Sequence, residues 1–158
     1  MNIFLNKKNF YLIVLFYSLF AIFFALYIEY VLEYKPCKLC LYQRIPYMIS
    51  LIFCFFGYFF SEKKFWAFVL FLTFLSNMLL SGYHLGIENN IFLEFSGCTN
   101  ENLNIIDKND LLKNLNNFLP SCKDVNFRIL GLSLATINFV LSIVLIIITV
   151  KYLRYVKN

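Results

Sequence analysis

FYLIVLFYSLFAIFFALYIEYVL, Phe10 to Leu32, decides what kind of fold this chain can adopt. Within it a single charged residue, Glu29, stands near the far end. A helix crossing the hydrocarbon core of a bilayer needs about 20 predominantly apolar residues, within roughly 17–25. The run meets that length. It is longer than the roughly 7–15 apolar residues of a signal-peptide core, and no A-x-A-like site follows. The reading is therefore a retained membrane helix.

Working outward, three more apolar runs follow: Ile45 to Phe60, Phe65 to Gly86 and Ile129 to Val150. The second is short for a span unless its helix starts earlier, near Leu41, which sets its beginning beside a pair of cysteines. The expected helices are 10–32, 41–60, 65–86 and 129–150, joined on one side by loops 33–40 and 87–128. Composition agrees. The 158 residues are 61% hydrophobic and 20% aromatic, with a mean hydropathy of +0.71. Soluble domains are about 45–50% apolar, so the surplus must face lipid. The fold class expected is an all-α membrane protein, a four-transmembrane-helix bundle forming a single integral membrane domain without repeats.

The net charge of +5 does not point to nucleic acid, because the basic residues punctuate the ends of apolar runs. Lys7 and Lys8 precede the first run, Lys63 and Lys64 fill the second connection, and Lys151, Arg154 and Lys157 follow the last. With four spans these segments share one side, and the positive-inside rule makes it the cytoplasm. Lys35, Lys38 and Arg44 lie opposite and count against this, but the balance puts both termini inside. The long outer loop carries DLLKNLNNFLP, in which Leu111, Leu112, Leu115, Phe118 and Leu119 recur at helical spacing. Asn109 or Asp110 could cap this stretch and Pro120 could end it. It reads as a short amphipathic helix, lying in the membrane interface or packed on the bundle.

Of five cysteines, Cys37, Cys40, Cys98 and Cys122 fall in outer loops and Cys54 falls within a span. Cys54, among Phe and Ile, behaves as a small hydrophobe. Disulfides persist in an oxidising compartment such as the periplasm, so the outer four can form two pairs. KPCKLC, Lys35 to Cys40, admits three readings. Zinc needs four ligands, but the one histidine, His84, is distant in sequence, and Cys98 and Cys122 form no second CxxC. A structural bridge two residues apart closes a tiny loop and constrains the unfolded chain little. A redox pair fits better, because the positive end of a helix favours the reactive thiolate and Arg44 follows Cys40 by one turn. At a lipid interface such a pair can meet a lipid-soluble oxidant, and quinones are that class.

PCKLCLYQRIPY (Pro36 to Tyr47), YHLGIE (Tyr83 to Glu88) and GLSLATINFVLS (Gly131 to Ser142) together resemble the DsbB family of disulfide bond formation proteins. The resemblance covers nearly the whole chain. It implies a bacterial inner-membrane thiol:quinone oxidoreductase, with ubiquinone or menaquinone as acceptor and a DsbA-like periplasmic thiol oxidase as partner. That pathway keeps the bacterial periplasm oxidising. By the same resemblance, Cys40 corresponds to the cysteine whose thiolate engages the quinone, Cys37 to its disulfide partner and Arg44 to the arginine beside the quinone. Cys98 corresponds to the cysteine attacked by the soluble oxidase, and Cys122 to its resolving partner, which communicates with Cys37. His84 stands where the family has a polar residue near the quinone, although a histidine capping the third helix is the plainer alternative.

Glu88 reads as a solvated loop carboxylate rather than a functional group, Glu29 as a side chain reaching the interface, and Asn138 as a polar group bonded to another helix, with a place at the quinone site as its alternative. Two other functions fit these residues less well. A vitamin K epoxide reductase-like enzyme has its loop cysteine pair before the CxxC, and here the CxxC comes first. A scaffold with structural disulfides would not depend on Cys40 for any activity.

Overall fold

The computed structural model describes residues 7–60, 64–93, 120–123, 127–129 and 131–157. Among the described residues, four helices are long and apolar enough to cross a membrane, covering Lys8–Tyr30, Lys38–Phe59, Lys64–Glu88 and Leu134–Val156. At 1.5 Å per residue, spans of 22–25 residues measure about 33–38 Å, enough for a hydrocarbon core of about 30 Å. The all-α four-helix membrane architecture expected from the runs is the one observed. The amphipathic stretch around Leu111–Leu119 and Cys98 lie outside the described residues.

The first helix, α1 (Lys7–Tyr30), ends where Glu33 adopts a left-handed backbone with φ of 58°. The second span is broken in two: α2 (Lys38–Tyr42) and α3 (Arg44–Phe59), joined at Gln43. Pro46 explains the break, since a proline has no N–H for the carbonyl four residues earlier, here that of Tyr42. α4 (Lys64–Glu88) ends with Asn90 in the left-handed region at φ 59°, while the Ile91 N–H bonds back to the Gly86 carbonyl at 2.8 Å.

A two-residue antiparallel ladder follows, β1 (Arg128–Ile129) with β2 (Leu132–Ser133). Gly131, at φ 83°, makes the turn between them. The last helix, α5 (Leu134–Lys157), therefore starts at Leu134 rather than at Ile129. Ser133 caps it, its Oγ accepting the Thr136 N–H at 3.2 Å.

Contacts show that successive spans alternate in direction. The end of α1 meets the start of α3 through Glu29 and Arg44, and the start of α1 meets the end of α3 where Tyr11 lies on Gly57. α5 packs on α4, α4 on α3, and α3 on α1. At the end that carries Lys8, α1 and α5 are clasped by aromatic rings. Phe10 and Tyr152 stack with centroids 4.0 Å apart, and Tyr11 meets Tyr152 edge-on at 5.8 Å. The core around this clasp includes Val14, Cys54, Leu70, Phe74 and Leu145. Cys54 is fully buried there, the small-hydrophobe role its neighbours in sequence suggest. The outward faces carry Phe16, Phe20, Phe23, Phe55 and Leu79, all more than half exposed, as side chains that meet lipid should be.

Gly57 is a point of close approach. A Cβ added there would lie 2.3 Å from the Tyr11 ring, with the Tyr11–Tyr152 clasp behind it. Gly57→Ala should therefore destabilise the bundle by about 1–3 kcal/mol, the usual cost of overpacking. Thermal unfolding in detergent would show this as a lowered Tm. Gly82→Ala, whose Cβ would stand 3.2 Å from Phe139, should cost less.

Candidate redox site

The loop after α1 delivers Cys37 to the start of α2, where it is the N-cap: its Sγ accepts the Cys40 N–H at 3.3 Å. The Cys37 thiol donates to Cys40 Sγ at 2.8 Å. That separation exceeds the roughly 2.03–2.05 Å of a disulfide, so the pair stands as two thiols. Cys37 is buried and Cys40 partly exposed. A hydrogen bond with Cys122 draws the Cys37 thiol down. The bond to Cys40, burial and the nearness of Cys40 outweigh it and push Cys37 up to about 12.

Cys122 is buried against Cys37, Leu39 and Ile87. Its Sγ, that of Cys37 and a ring nitrogen of His84 all lie within 4.8 Å of one another. His84 Nε2 itself stands 3.7 Å from Cys37 Sγ. His84 is thus not a cap at the end of α4 but a buried side chain facing the sulfurs. By ligand type alone, such a trio suits either thiol exchange or a zinc ion.

Glu88 departs from the loop-carboxylate expectation. α4 runs on to include it, and its side chain is only 9% exposed. It accepts a hydrogen bond from Ser133 Oγ, and its other oxygen lies 3.7 Å from His84 Nε2. Glu29 departs too: rather than reaching the interface alone, it forms an ion pair with Arg44. A guanidinium close to lipid needs such a counter-ion, because an isolated charge there is costly.

Behind His84 a chain of amides runs into the bundle. Gln43 Nε2 is 3.0 Å from His84 Nδ1, Asn138 Nδ2 donates to Gln43 Oε1 at 2.9 Å, and Asn77 Nδ2 donates to Asn138 Oδ1 at 3.3 Å. Tyr47 also donates to Asn138 Oδ1. Asn138 thus bonds to other helices, as a polar group in an apolar run must.

In front of Cys40 is a cavity of about 270 Å³ between α1, α3 and α5. Cys40, Arg44 and His84 line its polar side, and Phe20, Phe24 and Leu141 line its apolar side. Phe20 and Leu141 also face the exterior, so the cavity borders the lipid-facing surface.

The sequence profile described as "Disulfide bond formation protein DsbB" matches residues 7–152. The chain belongs to the DsbB family. It is also 28% identical, over 147 residues, to an uncharacterized protein, RP370, of Rickettsia prowazekii (strain Madrid E). That match covers 89% of this chain and 84% of the other. As a DsbB-family protein it is a multi-pass membrane protein of disulfide bond formation, and disulfide oxidoreductase activity goes with the family. Membership favours thiol exchange as the reading of the Cys37, His84 and Cys122 trio.

Of the residues the sequence singled out, Cys37, Cys40, Arg44, His84 and Cys122 come together around this cavity and its rim. Sequence reasoning passed over Gln43, Tyr47, Asn77 and Ser133. A signal for part of this existed in this DsbB-family chain. Asn77, Ser81, His84 and Glu88 follow at intervals of four, three and four, one face of a helix, in an otherwise apolar run.

The elevated Cys37 thiol has a measurable consequence. In fully reduced protein, the Cys37 thiolate fraction should rise about tenfold per pH unit from pH 8 to 10, because this range lies well below its pKa. Site-resolved alkylation by mass spectrometry should follow that slope. A rate at Cys37 that levels off near pH 9 would indicate an ordinary thiol.

Proposed function

We propose that this DsbB-family protein is a membrane thiol:quinone oxidoreductase that reoxidises a DsbA-like thiol oxidase. In this reading it lies in the bacterial inner membrane with both termini cytoplasmic and its redox cysteines periplasmic. The observation that carries the proposal is a continuity of sites. Cys122 adjoins Cys37, Cys37 contacts Cys40, and Cys40 lines an apolar cavity that borders lipid.

Each step is a disulfide exchange through a mixed disulfide. A thiolate of the reduced partner attacks Cys98 in a Cys98–Cys122 disulfide and expels Cys122. The partner's second thiol then displaces Cys98, which leaves the partner oxidised and Cys98 and Cys122 as thiols. Cys122 next attacks Cys37 of a Cys37–Cys40 disulfide and expels Cys40. Cys98 completes the exchange by attacking Cys122, so that Cys98–Cys122 re-forms and Cys37 and Cys40 carry the two electrons and two protons.

A ubiquinone or menaquinone would supply the acceptor, taking two electrons and two protons to become a quinol. The cavity fits such a molecule by its chemistry. Phe20, Phe24 and Leu141 suit a flat apolar ring, and Arg44 brings N–H donors to a wall that also holds Cys40. Arg44, held by Glu29, orients a carbonyl oxygen, and His84 supplies a second polar contact. The neutral Glu29–Arg44 pair keeps the cation in the wall without the cost of a lone charge.

The test is purified protein assayed for quinone reduction with a reduced thioredoxin-fold partner. Cys40→Ser and Cys98→Ser should each abolish turnover. Arg44→Ala should raise the KM for quinone about 10- to 100-fold, since a hydrogen bond to a charged group contributes about 1.5–3 kcal/mol. Turnover that survives Cys40→Ser would overturn the proposal.

A further inference from the structure

The polar chain behind His84 has a direction, set at its far end. Ser142 Oγ donates to the Asn138 backbone carbonyl at 2.8 Å. A hydroxyl has one proton, so toward Asn77 this group can only accept. Asn77 therefore turns its Nδ2 toward Ser142 at 3.0 Å, and the same Nδ2 meets Asn138 Oδ1. Asn138 must then offer Nδ2 to Gln43, which receives it on Oε1. Gln43 is left with Nε2 facing His84 Nδ1. An amide NH2 has no lone pair to offer, so Nδ1 is the acceptor and the proton of the neutral ring sits on Nε2.

We infer that Ser142, Asn77, Asn138 and Gln43 form a one-way chain that holds His84 in its Nε2-protonated tautomer, with Asn138 and Gln43 as positioning residues. Reversing the Asn77 amide would set its Oδ1 against two acceptors, Ser142 Oγ and Asn138 Oδ1. The observed orientation is kept although Asn77 Oδ1 is buried with no hydrogen-bond partner among the described residues. Asn77 and Ser142 are fully buried, which keeps water from replacing the far link, while Gln43, Asn138 and His84 reach the cavity wall.

The consequence lies at Nε2, which is 3.7 Å from both Cys37 Sγ and a Glu88 oxygen. His84 faces the sulfurs as a donor, not as a base. It can steady negative charge on Cys37 during exchange, and a proton leaving the site must be taken by another group. A ring protonated at Nε2 also has no lone pair to give a metal between Cys37 and Cys122, so the trio serves sulfur chemistry. The role in exchange rests on the proposed function; the tautomer does not.

His84 is the only histidine in the chain, so long-range ¹H–¹⁵N NMR of full-length protein labelled with ¹⁵N-histidine, in lipid nanodiscs, reads it alone. The wild type should show Nδ1 unprotonated and Nε2 protonated. Gln43→Glu places a carboxylate against Nδ1 and should move a proton onto it. Asn138→Asp removes the donor to Gln43, allows that amide to turn, and should also protonate Nδ1 without touching the ring. Nδ1 protonated in the wild type would overturn the inference, as would Asn138→Asp leaving the wild-type tautomer in place. Should Asn138→Asp fail to fold, Gln43→Glu decides: an unchanged tautomer there overturns the inference too. No quinone enters this readout, so a failed quinone assay and a failed tautomer lock remain distinguishable.

Discussion

Hydrocarbon offers no hydrogen bonds, and that constraint explains where this protein's polar side chains lie. A polar group on a spanning helix must find its partner on its own or a neighbouring helix, or be left unpaired at considerable cost. Here Gln43 next to α3, Asn77 and His84 from α4, and Asn138 and Ser142 from α5 converge on one seam. Between α1 and α3, Ser50 donates to Ser18 at 2.7 Å deep in the bundle. Individual bonds of this kind contribute modestly, about 0.6 kcal/mol on average in a membrane bundle. Their larger effect is on rotation. A helix turned by one residue would carry its asparagine into lipid, so the seam fixes which face each span presents.

The same bundle is closed at one end and open at the other, and sequence accounts for both. Near Lys8, glycine at position 57 lets Tyr11 lie on α3 while Phe10 and Tyr152 stack, drawing α1 and α5 together. Toward the cysteines, the Glu29–Arg44 pair ties α1 to α3 instead, and the space between α1 and α5 is left as the cavity. An apolar cavity beside a dithiol therefore follows from where the small residue and the charges were placed, rather than from a separate domain built to hold a ligand.

The four spans were legible in the sequence because twenty-odd apolar residues in a row admit few other readings. The pairing of CxxC with Arg44 was legible because their spacing is local. What could not be read is tertiary. Glu29 looked like an interfacial residue because its partner stands fifteen positions on, across a loop. Glu88 looked solvated because the third apolar run stops at Gly86, yet the helix continues and Ser133 returns from a distant segment to meet the carboxylate. Ile129 and Leu132 are apolar enough to extend the last run five residues ahead of the helix, which begins at Leu134. Only the left-handed Gly131 and the Ser133 cap reveal the boundary. The nearness of Cys122 to Cys37 was legible through the family resemblance alone, since in sequence 85 positions separate them.

Cys37 is the sulfur common to both contacts, with Cys40 2.8 Å away on one side and Cys122 in the buried cluster on the other. Its thiol is pushed up to about 12, against an ordinary value near 8.5. In thiol–disulfide exchange the sulfur of lower pKa leaves faster. Within the Cys37–Cys40 disulfide, attack at Cys37 is therefore favoured, since attack at Cys40 would expel Cys37; the completing step, in which Cys98 attacks Cys122, does expel Cys37 and is the slower of the two. In the proposed relay this makes Cys37 the central atom, with Cys122 entering and Cys40 leaving. Electrons then arrive on Cys40, the more exposed of the two cysteines that line the cavity, while Cys37 stays in contact with Cys122. The raised Cys37 thiol, held up by its bond to Cys40 and by burial, thus gives that step its direction.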